Sequence, residues 1–224
     1  MSQNVHCPNC GAEMVFRSPA LPSRVCDNCR TLLVRSDTGV IAVGQSAVLP
    51  FDVSPVRIEM RGRSDDQPFE VIGRVRWAWS DGAWNEWLLL FGDGSHGWLG
   101  EAMGEFMLTR ERPFTEVTTR TLKDIAKGKD AVPGQEVTLE ARKLTIVDAR
   151  EVLCVAAEGE LPFTPTPGWR VYSVDLRGNK GELATLQRDQ LATSFYQGRY
   201  VKLGELAPSG LRAIEGWPLP AYAA

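Results

Sequence analysis

The stretch that decides the fold is residues 69–91, FEVIGRVRWAWSDGAWNEWLLLF. Its first part alternates between two faces of an extended strand. The residues that share one face are Val71, Gly73, Val75, Trp77 and Trp79. Asp81-Gly82 then supplies a tight turn, because glycine tolerates the positive φ angle that such turns need. Residues 84–91 return as a second strand, so the segment predicts a β-hairpin in a mainly β protein.

Strand and turn signals continue outward from this hairpin. Residues 92–95 predict a further turn, and short strands follow at 98–99 and 106–108. Beyond a polar connection, further strands are predicted at residues 137–139, 144–147, 152–156, 169–174 and 182–186. One or two short helices are predicted near the C-terminus, at Arg188–Phe195 and Ser209–Glu215.

Composition and turn residues divide the chain into five segments. They are a cysteine-bearing head (1–35), a small and polar linker (36–46), a first β unit (47–112), a connection (113–135) and a second β unit with a C-terminal helical segment (136–224). Both β units contain a long strand, a glycine turn and a returning strand. An internal duplication is one interpretation, which the slight identity between the halves leaves open. We therefore expect two small β-barrel or β-sandwich-like units.

Two cysteine pairs in the head predict a metal site. Cys7 and Cys10 form one CxxC motif, Cys26 and Cys29 form another, and 15 residues separate the pairs. This spacing is typical of a zinc ribbon, in which four thiolates close a tetrahedron and leave no position for water or substrate. A head of this size also needs a metal to fold. A rubredoxin-like iron site and a redox dithiol pair are the alternatives.

Composition favours a cytoplasmic protein without a strong nucleic-acid footprint. The net charge is -3, and no apolar run approaches the length of a transmembrane helix. The first residues do not form a secretory signal, so the thiols are expected to stay reduced. The four arginines of the head are offset by two acids and by the charge of a metal-thiolate centre, which disfavours binding of nucleic acid.

Few other residues predict chemistry. Glu158 and Glu160, spaced i, i+2 on a strand, form a candidate polar site for acid-base work or cation binding, although a solvated strand end is the simpler interpretation. Cys154 lies in an apolar strand and is expected in the core. His6 and His96 have no partner pattern for a triad or a second metal site.

Tryptophan is abundant in the first β unit. Five of the seven tryptophans form a candidate interaction surface, and they are Trp77, Trp79, Trp84, Trp87 and Trp98. Aromatic side chains fill protein cores and also dominate binding hot spots, so core filling is the alternative interpretation.

Several motifs together resemble a bacterial family called domain of unknown function 4178. They are Val71-Ile72-Gly73-Arg74-Val75, the run from Trp84 to Leu90, Gly97-Trp98-Leu99, the run from Ala157 to Pro162 and the run from Tyr196 to Val201. The resemblance implies a β-rich fold, often with an N-terminal zinc ribbon, and no established catalytic residues. It also implies an accessory role in a membrane-associated or polyamine-linked system. Arg30 departs from the pattern, since glycine is common at this position of the second knuckle.

These observations lead to one leading hypothesis and two alternatives. The leading hypothesis is a non-enzymatic adaptor or accessory protein that binds a protein partner through the ribbon and the tryptophan-bearing β unit. The first alternative is a small-ligand binder or enzyme that uses Glu158 and Glu160 in a cleft between the β units. The second is nucleic-acid binding through the ribbon.

Overall fold

Antiparallel strands dominate the structure, which confirms the mainly β prediction. The computed structural model describes residues 3–37, 39–50 and 52–213. In these residues it contains 15 strands, β1 to β15, and one α-helix, α1, at Arg120–Ala126. None of the helices in these ranges is long and apolar enough to span a membrane.

The head is built from five short strands. They are β1 (Gln3–His6), β2 (Glu13–Phe16), β3 (Ser23–Val25), β4 (Thr31–Ser36) and β5 (Gly39–Gln45). Each CxxC motif lies in the turn of a hairpin, the first between β1 and β2 and the second between β3 and β4. The segment expected as a linker instead contains β5, which pairs along β4. Alternating small residues and valines are as compatible with an edge strand as with a linker.

Eight further strands close into a single ring. They are β7 (Gln67–Trp79), β8 (Gly82–Phe91), β9 (His96–Ala102), β10 (Glu105–Arg112), β12 (Arg142–Leu161), β13 (Arg170–Gly178), β14 (Glu182–Arg188) and β15 (Thr193–Val201). Strands β7 to β10 form one antiparallel meander and β12 to β15 form another. Pairing of β10 with β15, and of β7 with β12, joins the two meanders. The two predicted β units therefore contribute one half each to a single eight-stranded barrel.

The seam between β7 and β12 depends on two glycines. A Cβ atom on Gly73 would lie 1.9 Å from the carbonyl oxygen of Glu160, and one on Gly159 would lie 2.2 Å from that of Ile72. Gly159 also has a positive φ of 72°. The two backbones approach this closely only because neither residue has a side chain.

The remaining elements cover the barrel from outside. Strand β6 (Arg61–Ser64) extends the sheet beside β7, and β11 (Glu136–Leu139) pairs with the start of β12. Helix α1 buries Leu122 and Ile125 in a core cluster that also contains residues of β13 and β14. This helix lies in the segment predicted to be an irregular connection.

The helix predicted at Arg188–Phe195 is wrong. The Asp189 side chain accepts hydrogen bonds from the backbone of Leu191 and Ala192, which makes a turn, and β15 follows. Strand β15 pairs with both β14 and β10, and these two ladders outweigh a weak local preference for helix. The helix predicted at Ser209–Glu215 is not formed over residues 209–213, where Ser209 bridges to Arg61. Its last two residues lie outside the described ranges.

Candidate functional site

The four cysteines of the head converge on one point. All four Sγ atoms lie within 4.8 Å of one another, and Cys7 Sγ and Cys29 Sγ are 3.7 Å apart. Cys10 Sγ and Cys26 Sγ are 3.8 Å apart. A tetrahedral metal with bonds of about 2.3 Å to sulfur requires sulfur–sulfur distances of about 3.8 Å. The cluster therefore has the shape and the donor set of a four-thiolate metal site.

The two knuckles have the same backbone geometry. The amide of Gly11 donates to the carbonyl of Cys7, and the amide of Arg30 donates in the same way to Cys26, both at 2.9 Å. Gly11 has a φ of 75° and Arg30 a φ of 59°. Arg30 thus adopts the left-handed backbone conformation that glycine adopts in the first knuckle. Because Arg30 has a Cβ atom, this conformation strains its backbone.

Two polar side chains contact the sulfur of Cys29. Thr31 Oγ1 lies 3.0 Å from Cys29 Sγ, and Asn9 Nδ2 donates to the same sulfur at 3.6 Å. In the absence of metal, the hydrogen bond with Thr31 lowers the pKa of Cys29 to about 5, while burial raises the pKa of Cys26 to about 12. His6 is not in the cluster, and its Nδ1 lies 3.4 Å from the carbonyl of Gly11.

Glu160 joins the head to the barrel. Its carboxylate is fully buried and accepts hydrogen bonds from the backbone amides of Arg17 at 2.6 Å and Ser18 at 3.0 Å. Arg24 Nη1 lies 3.3 Å from the same carboxylate. Residues 160–161 at the end of β12 also pair with β3 of the head. Glu160 therefore anchors the head by charge-assisted hydrogen bonds in a dry interface.

Glu158 has different partners from Glu160, although the two are only two residues apart. Its carboxylate lies 3.5 Å from Arg74 Nη1, and Arg74 also pairs with Asp52. Burial raises the pKa of Glu158, and the nearby Arg74 guanidinium partly opposes that effect. The bend at Gly159 thus sends one carboxylate to the head and the other to an arginine-rich network on the barrel wall, so the pair does not line one shared site.

The tryptophans expected on an interaction surface are largely internal. Trp77, Trp87 and Trp98 are buried in the core, and Trp79 and Trp84 are half-buried. Trp79 and Trp84 pack against each other with ring centroids 5.7 Å apart. Trp79, Trp84 and Trp98 face a cavity inside the barrel.

This cavity has a volume of about 350 Å³ and receives side chains from every strand of the ring. One representative from each strand, in chain order, is Trp79, Trp84, Trp98, Met107, Arg150, Asp175, Thr185 and Tyr196. Met103, in the turn between β9 and β10, also lines it and is fully exposed. The cavity therefore opens to solvent at the end of the barrel that carries this turn.

Two carboxyl groups lie deep in the cavity wall. Glu86 accepts hydrogen bonds from the indole nitrogens of Trp77 at 2.9 Å and Trp84 at 3.1 Å. Asp175 accepts one from Thr185 Oγ1 at 2.7 Å. Burial raises the pKa of both carboxyls. Both residues are half-buried and line the cavity.

The remaining reactive side chains lie away from the cavity opening. Cys154 is buried in the core as expected, and burial raises the pKa of its thiol to about 12. His96 begins β9, and its Nε2 lies 3.0 Å from Ser18 Oγ of the head. Burial lowers the pKa of His96, which fits a structural contact between head and barrel.

Sequence reasoning missed Glu86 and Asp175. Both sit on β-strands among apolar neighbours, in Trp-Asn-Glu86-Trp and Ser-Val-Asp175-Leu. A carboxylate at an inward position of an otherwise apolar strand is the local signal that could have identified them. The alternation of β8 does not by itself say that the inward face lines a cavity.

Fold and cysteine cluster together define a class: a mainly β protein with a head that could hold a metal ion. The chain belongs to the family described as domain of unknown function 4178, whose family model matches residues 57–203. The match spans the barrel and leaves the cysteine cluster outside it. No curated protein and no solved structure matches the chain significantly.

Proposed function

We propose that the protein is a non-enzymatic binding protein that holds a small organic molecule in the barrel cavity. The observation that carries this proposal is the cavity itself, which is walled by all eight strands. Its size lies at the lower end of the range of small-molecule sites, and it combines aromatic walls with a few polar groups, as such sites do. This proposal puts the ligand inside one barrel, whereas the first alternative of the sequence analysis used Glu158 and Glu160 in a cleft between the β units.

The composition of the cavity wall supports binding over catalysis. Among the described residues, its lining includes no cysteine, histidine or lysine. The hydrogen bonds of Glu86 come from two indoles and Gln187, which are donors that position a carboxyl group and do not exchange protons with it. A nucleophile held beside a general base would favour an enzyme instead.

In this proposal the metal of the head is zinc and has a structural role. Four sulfur ligands match the preference of zinc in structural sites and leave no open position. Native mass spectrometry should find one zinc ion per chain, and Cys26→Ser should lose it. A coloured protein that carries iron at the same cysteines would overturn the assignment to zinc.

Ligand binding can be tested with N-phenyl-1-naphthylamine, an uncharged fluorophore. We expect its fluorescence to rise on binding and the emission of the cavity tryptophans to fall through energy transfer. Ala102→Trp should abolish the effect, because Ala102 lines the cavity. Ala83→Trp, on a residue that is not part of the lining, is the control and should retain it. Equal loss in both variants, or no binding by the wild type, contradicts the proposal.

Protein binding is the second candidate function, and the outermost strand of the head favours it. Strand β5 ends the strand order of the large sheet, and it exposes Ile41 to 52% and Val43 to 48%. An exposed apolar edge strand can pair with a strand of another protein. Since Trp77, Trp87 and Trp98 are buried, β5 is the better candidate for an adaptor surface than the five tryptophans. A partner that co-purifies with the wild type and not with Ile41→Lys, Val43→Lys would support it.

A further inference from the structure

We infer that the cavity binds an organic cation, a molecule with an apolar body and a protonated amine that faces Glu86 and Asp175. This inference rests on the proposed function, because it names the chemical class of the ligand in the same cavity. Four observations support it: two carboxyls without a close ion pair, an excess of acids over arginines in the lining, the aromatic walls and the size of the site.

The two interior carboxyls form no close ion pair, although the charges of Arg177 and Arg150 partly lower the pKa of Asp175. Among the described residues, no arginine or lysine nitrogen forms an ion pair with Glu86 or Asp175 within 4.0 Å. By contrast, Asp52, a half-buried acid outside the cavity, pairs with Arg74, Arg76 and Arg212. Burying an acid without a counter-charge is costly, and a ligand that carries the counter-charge would offset this cost.

The two arginines that line the cavity make their closest contacts with groups other than Glu86 and Asp175. Arg150 pairs with Asp148 at 2.5 Å, and its guanidinium lies 4.6 Å from the centre of the Trp79 ring. Arg177 is exposed and lies over the ring of Tyr200 at 5.1 Å. Neither arginine forms an ion pair with Glu86 or Asp175 within 4.0 Å. The lining carries three carboxyls, Glu86, Asp148 and Asp175, against these two arginines, so acids are in excess.

Aromatic side chains complete the site for a cation. Trp79, Trp84, Trp98 and Tyr196 all line the cavity. Ring faces attract ammonium groups, most strongly where water is excluded. The stacking of Arg150 on Trp79 shows that this wall accepts a cation face-on. A cavity of about 350 Å³ is large enough for a small aromatic or alkyl body beside the amine.

Three probes with similar shape and different charge test the inference. They are 2-phenylethylamine (cationic at neutral pH), 2-phenylethanol (uncharged) and phenylacetate (anionic), each titrated into the full-length zinc-loaded protein by calorimetry. We expect the amine to bind at least about tenfold more tightly than the alcohol, which is the scale of a charge-assisted hydrogen bond, and the anion not to bind detectably.

Two isosteric variants locate the charge. Glu86→Gln and Asp175→Asn should each weaken binding of the amine about tenfold and leave binding of the alcohol unchanged. Glu151→Gln is the matched control, because Glu151 is an exposed acid on β12 that pairs with Arg170 outside the cavity. It should leave the affinity for all three probes unchanged.

The outcomes separate this inference from the proposed function. If the alcohol or the anion binds as tightly as the amine, the cation inference is overturned while ligand binding in the cavity stands. If the naphthylamine fluorophore binds but the amine does not, the result is the same. If none of the four probes binds, both fail. Should a variant not fold, the comparison of the three probes with the wild type alone decides.

Discussion

Glu86 and Asp175 each reduce the stability of the folded protein when they ionise. Burial raises the pKa of both carboxyls above the ordinary value that they have in the unfolded chain. The folded state therefore holds these protons more tightly, and stability falls as the pH rises from the ordinary pKa through the raised one. We expect Glu86→Gln and Asp175→Asn to raise the melting temperature at pH 7 and to lose this advantage below about pH 4.

The neighbours of the two acids explain why the shift is upward. Glu86 faces the indoles of Trp77 and Trp84, Gln187 and Asp175, and it lies close enough to Tyr196 and Cys154 to raise the pKa of each. Asp175 faces Thr185, Asp148, Arg177 and Arg150. Glu151→Gln serves as the control, with no pH-dependent gain. If the two cavity variants are less stable than the wild type at pH 7, the carboxyls are held ionised by the fold and this account is wrong.

The two knuckles offer a matched pair of backbone tests. Arg30 adopts a positive φ with a side chain, and Gly11 adopts one without. Arg30→Gly should therefore stabilise the metal-loaded protein by roughly 0.5–1 kcal/mol, and Gly11→Ala should destabilise it by about 1 kcal/mol. Apart from the two neighbouring residues in sequence, no atom lies within 4 Å of a Cβ built on Gly11. The destabilisation by Gly11→Ala therefore comes from the positive φ angle and not from a clash. Chemical denaturation measures both values, and a loss on Arg30→Gly would contradict the prediction.

Closure of the barrel depends on one contact between elements, the seam of β7 and β12. Gly73→Ala would place a Cβ atom 1.9 Å from the carbonyl oxygen of Glu160, a backbone atom that cannot move without breaking the seam. We expect a loss of more than about 2 kcal/mol in the free energy of unfolding. Gly44→Ala on β5 is the control, because its Cβ would make an ordinary contact of 3.5 Å with Leu32. A change within about 0.5 kcal/mol is expected there, and an equal loss in both variants would exclude the steric explanation.

At the level of elements, the sequence predicts what is local. The hairpin at residues 69–91 was predictable because alternation and an Asp-Gly turn lie within a few residues of each other. The four-cysteine cluster was predictable for the same reason, since CxxC spacing encodes a knuckle. Closure into one ring was not, because Gly73 meets Gly159 across 86 positions of the sequence.

The mistaken elements have specific physical causes. Helix α1 was missed because it is only seven residues long, and the side chain of its N-cap, Thr119, makes no capping hydrogen bond to the helix. The first three residues of β15 were taken for helix because ladders to two neighbouring strands decide their structure, and these ladders are invisible in the local sequence. The cavity was missed because each strand contributes only one to three of its residues. An internal duplication would also produce two four-stranded meanders, so the interpretation of the chain as a duplicated unit stays open.

In the whole molecule, the metal site and the barrel are coupled through Glu160. Its carboxylate binds two amides of the head, and Leu21, Val25 and Leu32 of the head belong to the same core cluster as Trp77 of the barrel. The order of the head should therefore depend on both the metal and the carboxylate. The far side of the barrel, around β13 and β14, makes no strand pairing with the head and should depend on neither.

Metal removal and Glu160→Gln are expected to have different effects on this coupling. Chelation should increase amide hydrogen exchange across residues 3–36 and at residues 160–161, while β13 and β14 stay protected, because metal binding supplies the folding free energy of such a head. Glu160→Gln should keep one metal ion per chain yet make residues 17–24 of the head sensitive to protease, since these residues hold the Glu160 carboxylate and their docking is weakened by about 2 kcal/mol or more. Glu158→Gln is the matched control on the same strand, because its carboxylate faces Arg74 and not the head. If Glu160→Gln releases the metal, or if chelation leaves exchange at residues 160–161 unchanged, the head and the barrel are not coupled through this residue.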